Sequence, residues 1–250
     1  MTKTLLNSLS IAALTLVATQ ALADIYDRYN RAVKDAAIVG DSEIVDDLEA
    51  LIPGNPNLIW SEDGSKILVA TWKSANAYEK YLKPYTETSS NPEYGLWVTP
   101  APQVQNFCQT IAPEDMDKPK KFSNKVNRRL KQYLGLSPDW EYDLFVEMWI
   151  SPEDLFRPCV DPEVTDASCE LHFGDNIPTV KNIPDYKEFY EDLYYKSFRR
   201  SSGVPWTGLG YTFDWGNPDS EVGGSEYITV PKAKYQIERA IPTVEYCSAG

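Results

Sequence analysis

The 250-residue sequence predicts one α+β domain, with a mixed, mainly antiparallel sheet flanked by helices and held by two disulfides. Three observations carry this. Runs with strand periodicity and runs with helix periodicity interleave irregularly, and the last strand-like runs follow one another as adjacent hairpins. Four cysteines lie beyond an N-terminal segment of export type. No repeat, low-complexity tract or linker divides the chain.

Residues 1–23 read as a signal peptide of the bacterial Sec type, leaving 24–250 as the single domain. Lys3 gives the positive start, Leu5 to Leu22 is mostly apolar, and Ala21-Leu22-Ala23 is a small-x-small cleavage site. The run is too short and too interrupted by polar residues to span a bilayer, so no membrane insertion is expected. A periplasmic or secreted protein follows. Its formal charge of −13 argues against nucleic acid as a partner. In an oxidising compartment four cysteines form two disulfides. Of three pairings, Cys159–Cys169 is favoured because the pair is close and brackets a Pro/Asp loop, which leaves Cys108–Cys247.

Asp24 to Leu51 predicts two helices broken near Gly40-Asp41, ended by Pro53-Gly54-Asn55-Pro56. Leu58-Ile59-Trp60 and Ile67–Trp72 flank Asp63-Gly64, a hairpin signal. Ser74 caps a short helix that ends at Pro84, and Tyr94–Thr99 is a strand. A short helix then carries Cys108, and another covers about Ser123–Leu134, stopped by Gly135. Tyr142–Ile150 reads as a buried strand, and Ser151-Pro152-Glu153-Asp154 as a helix start. After an irregular stretch, Pro184–Arg200 is the clearest helix, with an aromatic stripe from Tyr186 to Phe198. Strands at Leu209–Trp215, Tyr227–Val230 and Tyr235–Ala240 complete the chain.

Chemistry-bearing residues are few. The single histidine, His172, lies in a loop, which excludes multi-histidine metal sites and leaves catalysis to carboxylates. Glu226 follows Gly223-Gly224-Ser225 and opens a strand, a place with backbone room for a general base or cation stabiliser. Trp206, Tyr211, Phe213 and Trp215, interspersed with glycines, offer stacking faces. Lys118, Lys120, Lys121, Lys125, Arg128, Arg129 and Lys131 make a positive helix face suited to a phosphate or diphosphate. The acidic turn Asp214, Asn217, Asp219 and Glu221 does not match the twelve-residue calcium loop, and no metal is expected.

The C-terminal pattern resembles the ADP-ribosyltransferase and NAD-glycohydrolase superfamily, which includes secreted toxins. The residues concerned are Ser225-Glu226-Tyr227-Ile228-Thr229-Val230-Pro231, then Tyr235-Gln236-Ile237, with Pro205-Trp206 ahead of the glycines. The resemblance implies NAD as substrate, not cofactor, cleaved at the nicotinamide–ribose bond. Glu226 would be catalytic, with Trp206, Tyr211, Trp215 and Ser225 binding substrate. The family's first-strand arginine has no counterpart on Ile67–Trp72, where Lys73 is the nearest base, so Arg128 or Arg129 takes its part in this reading. Two alternatives stay open. One is a non-enzymatic periplasmic or secreted binding protein for a glycan or protein ligand. The other is a glycan hydrolase pairing Glu226 with Asp214 or Glu147 across about 5–10 Å.

Overall fold

In the computed structural model, residues 23–199 and 203–248 are described. The leader predicted at residues 1–23 therefore lies, but for Ala23, outside the described residues. So does Arg200, the predicted last residue of the long helix.

The centre of the molecule is β1 (Ile67–Lys73), whose seven residues are apolar but for Thr71 and Lys73. It pairs antiparallel with β2 (Trp97–Pro100) on one side and β3 (Leu144–Ile150) on the other. With β4 (Leu155–Phe156), β7 (Tyr227–Thr229) and β8 (Tyr235–Pro242) the order is β4-β7-β2-β1-β3-β8, antiparallel at every pairing. Because side chains alternate along a strand, each strand serves two cores. Leu68, Ala70, Trp72 and Phe145 face α3 (Ala101–Gln109), α4 (Pro119–Tyr133) and α6 (Thr243–Ser248). Ile67, Val69, Val146, Met148 and Tyr227 face the opposite way, onto Leu51, Leu58 and Leu82. The first face continues over Ile228, where α5 (Tyr186–Arg199) covers it.

Both disulfides form as paired in the sequence reading. Cys108–Cys247 joins α3 to α6, and Cys159–Cys169 closes the loop after β4. Inside that loop the fully buried Arg157 guanidinium donates to Asp166 Oδ1 at 2.6 Å and to the carbonyls of Ser168 and Glu49 at 3.2 Å.

Local signals translate closely in the middle of the chain. Ser74 Oγ accepts from Ala77 N and caps α2 (Ala75–Tyr81). Asp63-Gly64 turns the chain, although the first limb reaches the sheet only through the Trp60–Ile67 bridge. Other expectations need correction. The N-terminal region holds one helix, α1 (23–35), and not two. Residues 44–51 run irregularly instead, because Leu48 and Leu51 gain burial and donate their N–H groups to Ala167 and Val164. Ser151–Asp154 makes a single 3₁₀ turn before β4. The Gly223-Gly224 segment is a strand, β6 (Val222–Ser225), paired with β5 (Tyr211–Phe213). Gly223 is required there, since a Cβ would fall 2.4 Å from the Tyr133 carbonyl oxygen. The last strands are not adjacent hairpins either. Only β5 and β6 pair locally, whereas β7 and β8 enter the main sheet at distant positions.

The Cys108–Cys247 bridge closes a loop of 139 residues. The chain-entropy model values such a loop at about 5 kcal/mol. The expected outcome for Cys108→Ala/Cys247→Ala is a loss of that order in urea unfolding. Unchanged stability would mean that packing of α3 on α6 suffices alone.

Candidate functional site

β1 and β2 pair at only two positions, Val69↔Pro100 and Ala70↔Thr99. Beyond them the strands part, and a cavity of about 380 Å³ opens over the helical face and into the gap. Ala70, Thr71, Trp72 and Lys73 of β1 and Trp97, Val98 and Thr99 of β2 line it from the sheet. The end of α4 (Leu134–Leu136), α5 (Leu193, Lys196, Ser197) and Val204–Trp206 supply the walls. Four of the seven tryptophans are in the lining, so flat aromatic faces dominate it. Trp140 lines the cavity yet is 43% exposed, which places the mouth beside it. Trp72 is fixed by its Nε1–H donating to Thr243 Oγ1 at 2.8 Å and by stacking on Tyr142 at 4.6 Å.

Glu226 is the single carboxylate in the lining. It stands where the chain passes from β6 to β7, and every neighbouring group is tied. Ser225 N donates to Gln103 Oε1 at 2.9 Å, and Ser225 Oγ accepts from Glu49 N at 2.9 Å. Glu226 N donates to Gly210 O at 2.9 Å, and the Tyr227 hydroxyl donates to the Glu49 carbonyl. Gly210 holds φ of +77°, and a Cβ there would meet Cys169 Sγ and Leu48 Cδ1 at 2.9 Å, so the acceptor carbonyl depends on glycine. Since Tyr227 turns to the opposite core, the Glu226 side chain shares the helical face with Ile228.

The Glu226 carboxyl is buried, and Oε1 has no hydrogen-bond partner among the described residues. Desolvation pushes its pKa well above the usual carboxylate range, opposed only by the Trp206 indole N–H beside it. That N–H approaches without closing a hydrogen bond, and Trp206 Nε1 is itself buried and unpartnered. Burial thus favours the neutral acid form, which can donate as well as accept.

Two lysines line the same cavity in opposite electrostatic states. Lys196 is paired with Asp192 and Glu93, both at 2.5 Å, and these carboxylates raise its pKa. Lys73 has no ion pair or hydrogen bond from its amine among the described residues, and although the residue keeps intermediate exposure, desolvation by the surrounding protein pushes its pKa down to about 8.

Phe213 of the predicted aromatic set also lines the cavity, whereas the other residues singled out in the sequence lie elsewhere. Trp215 packs edge-on against Tyr29 at 5.6 Å and donates to Leu136 O at 3.2 Å. Tyr211 is buried beside the Cys159–Cys169 bridge, its hydroxyl donating to Glu43 O at 3.1 Å. Arg129 grips Asp214 with two bonds of 2.7 and 2.6 Å, and Arg128 is exposed on α4. Lys118, Lys121 and Lys125 converge on the buried Asp115, whose pKa falls far below the usual range through hydrogen bonds from Lys121 and Lys125. Four of the seven basic residues are thus matched internally, by Asp115 below and Asp214 beside them. Asp214 also accepts from Gly216 N and Asn217 N. Glu147 is held by Arg239, so neither proposed carboxylate partner joins Glu226 in the cavity. Among the described residues, Cys159, Asp161 and Cys169 are grouped closely enough to share an ion, but the two sulfurs are bonded to each other.

The structure therefore brings together Glu226, Trp206 and Phe213 and adds Trp72, Lys73, Trp97, Trp140 and Lys196. A lysine ending the apolar run Ile67–Trp72 was the available signal for Lys73. The tryptophans of β1 and β2 carry no local mark separating cavity from core. No family model, curated protein or solved structure matches this chain.

The raised pKa has a measurable consequence. Folded protein keeps a proton on Glu226 that the unfolded chain releases above about pH 4.5, so stability falls as pH rises from there. Glu226→Gln keeps the neutral shape and removes this dependence. The variant should match the parent near pH 4 and exceed it progressively towards pH 8. Lys73 acts in the opposite sense and only above about pH 8, outside that window. A difference that stays flat from pH 4 to 8 would contradict a buried neutral acid.

Proposed function

We propose that this is an exported binding protein whose cavity takes one small organic molecule with a flat ring and a polar group. The observation that carries the reading is the pair of unpartnered buried polar atoms, Glu226 Oε1 and Trp206 Nε1, in a cavity lined by four tryptophans. A buried donor or acceptor without a partner costs roughly 1–3 kcal/mol, and a ligand that hydrogen-bonds both recovers it. The volume lies at the lower end of the range for small-molecule sites of roughly 300–1,000 Å³. Tryptophan faces supply stacking, and the neutral carboxyl supplies orientation. The two disulfides suit an oxidising compartment, and no helix among the described residues is long and apolar enough to cross a membrane.

NAD cleavage is the second reading, favoured by the presence of Glu226 and Trp206 in one cavity. It places nicotinamide against the tryptophans. It also requires Glu226 to ionise once substrate enters, because a neutral carboxyl does not stabilise a ribose cation.

Both readings meet in one experiment. Oxidised protein is titrated with indole, nicotinamide and NAD while tryptophan fluorescence and heat are followed, and released nicotinamide is assayed chromatographically. The binding reading expects quenching by a ring compound and an affinity about tenfold weaker in Glu226→Leu, the worth of one lost hydrogen bond. Nicotinamide release that disappears in Glu226→Gln would establish cleavage instead. Absence of binding by every probe, or binding indifferent to Glu226, would overturn the cavity as the site.

A further inference from the structure

Lys73 is a cavity-lining amine that the binding reading leaves unused. Its position is unusual in three respects. It ends an apolar strand, where β1 has parted from β2, and it lines the cavity there. No carboxylate among the described residues pairs with it, whereas Lys196 across the same cavity is held by two. The nearby lining is aromatic, Trp72 and Tyr142 being stacked parallel within 15°.

An ammonium without a counter-ion in such surroundings is poorly solvated. The uncharged amine is favoured, and it is the amine that is nucleophilic. With a pKa of about 8, about a tenth of Lys73 is free base at pH 7. An ordinary lysine holds well under a thousandth in that form. Lys196, its pKa raised by Asp192 and Glu93, stays protonated and does not compete.

We propose that Lys73 captures aldehydes borne on flat, ring-containing molecules, forming an imine inside the aromatic cavity. The Nζ lone pair attacks the carbonyl carbon to give a carbinolamine. Loss of water then forms the C=N bond, the carbonyl oxygen leaving with both amine hydrogens. Aldehyde and amine give imine and water, with no oxidant or reductant. The lining serves this chemistry in two ways: aromatic walls align the ring, and an apolar cavity limits hydrolysis of the imine. The inference rests on the cavity being a ligand site, and it narrows the ligand to a carbonyl compound.

The test uses the oxidised chain with cinnamaldehyde as probe at substoichiometric concentration and neutral pH. Sodium cyanoborohydride traps the imine as a stable secondary amine. Intact mass and peptide mapping should show one adduct on Lys73, formed at least tenfold faster than on any other lysine. Cinnamyl alcohol, of the same shape without the carbonyl, should slow labelling and quench tryptophan fluorescence by itself. Lys73→Arg should lose the adduct and keep alcohol binding. Labels scattered over surface lysines of the unmodified sequence would overturn the proposal without need of a variant. If the alcohol binds but the aldehyde leaves Lys73 unmodified, the cavity stands as a ligand site and only the covalent step falls. If neither compound binds, both readings fall together.

Discussion

The passage from β6 to β7 sets what the rest of the structure must accommodate. Three successive residues there belong to three different environments. Ser225 is tied to Gln103 and Glu49, Glu226 faces the cavity, and Tyr227 is sunk in the opposite core. With both neighbours anchored and its own N–H bound to Gly210, Glu226 cannot swing to water without breaking pairings in both sheets. Its desolvation is thus imposed by the backbone. The cost is borne by a fold that has other sources of stability, two disulfides and a seven-residue β1–β3 pairing among them.

The same economy of position explains the cavity. Strands that pair at two positions and then part leave a gap that packing normally closes. Here rigid rings edge it, and rings with only two side-chain torsions cannot collapse into it as methionine or leucine would. Trp72 is pinned by Thr243 and by its stack with Tyr142 and Phe145. The void persists because its walls are stiff. Preorganisation of that kind reduces the entropy lost when a ligand binds.

How much of this was legible in the sequence follows from how local each signal is. Ser74, Asp63-Gly64 and the alternation in β1 act over a few residues, and the structure uses them as the sequence suggests. Strand order is not local. Nothing near Tyr227 or Tyr235 says that one joins β2 and the other β3, so the assumption of neighbouring hairpins failed. Gly223 carries no local mark of its reason, because the Tyr133 carbonyl of α4 that demands it is ninety residues away. The site behaved likewise. Glu226 and Trp206 announced themselves by glycine-rich surroundings. Lys73 owes its character to desolvation, of which the apolar run it ends was the one trace in the sequence. The α4 basic cluster shows the converse, conspicuous in one dimension and matched by Asp115 and Asp214 in three.

That internal matching shapes how the molecule looks to a distant solute. Lys118, Lys121, Lys125 and Arg129 lie against carboxylates of their own chain, so α4 presents less of a positive pole than its sequence suggests. With a formal charge of −13, the long-range field is negative. An anion approaching the mouth beside Trp140 climbs that potential, and added salt lowers the climb by screening it beyond about 10 Å. A neutral ring compound meets no such barrier. The arrangement of α4 thereby favours uncharged visitors kinetically, before any wall of the cavity is touched.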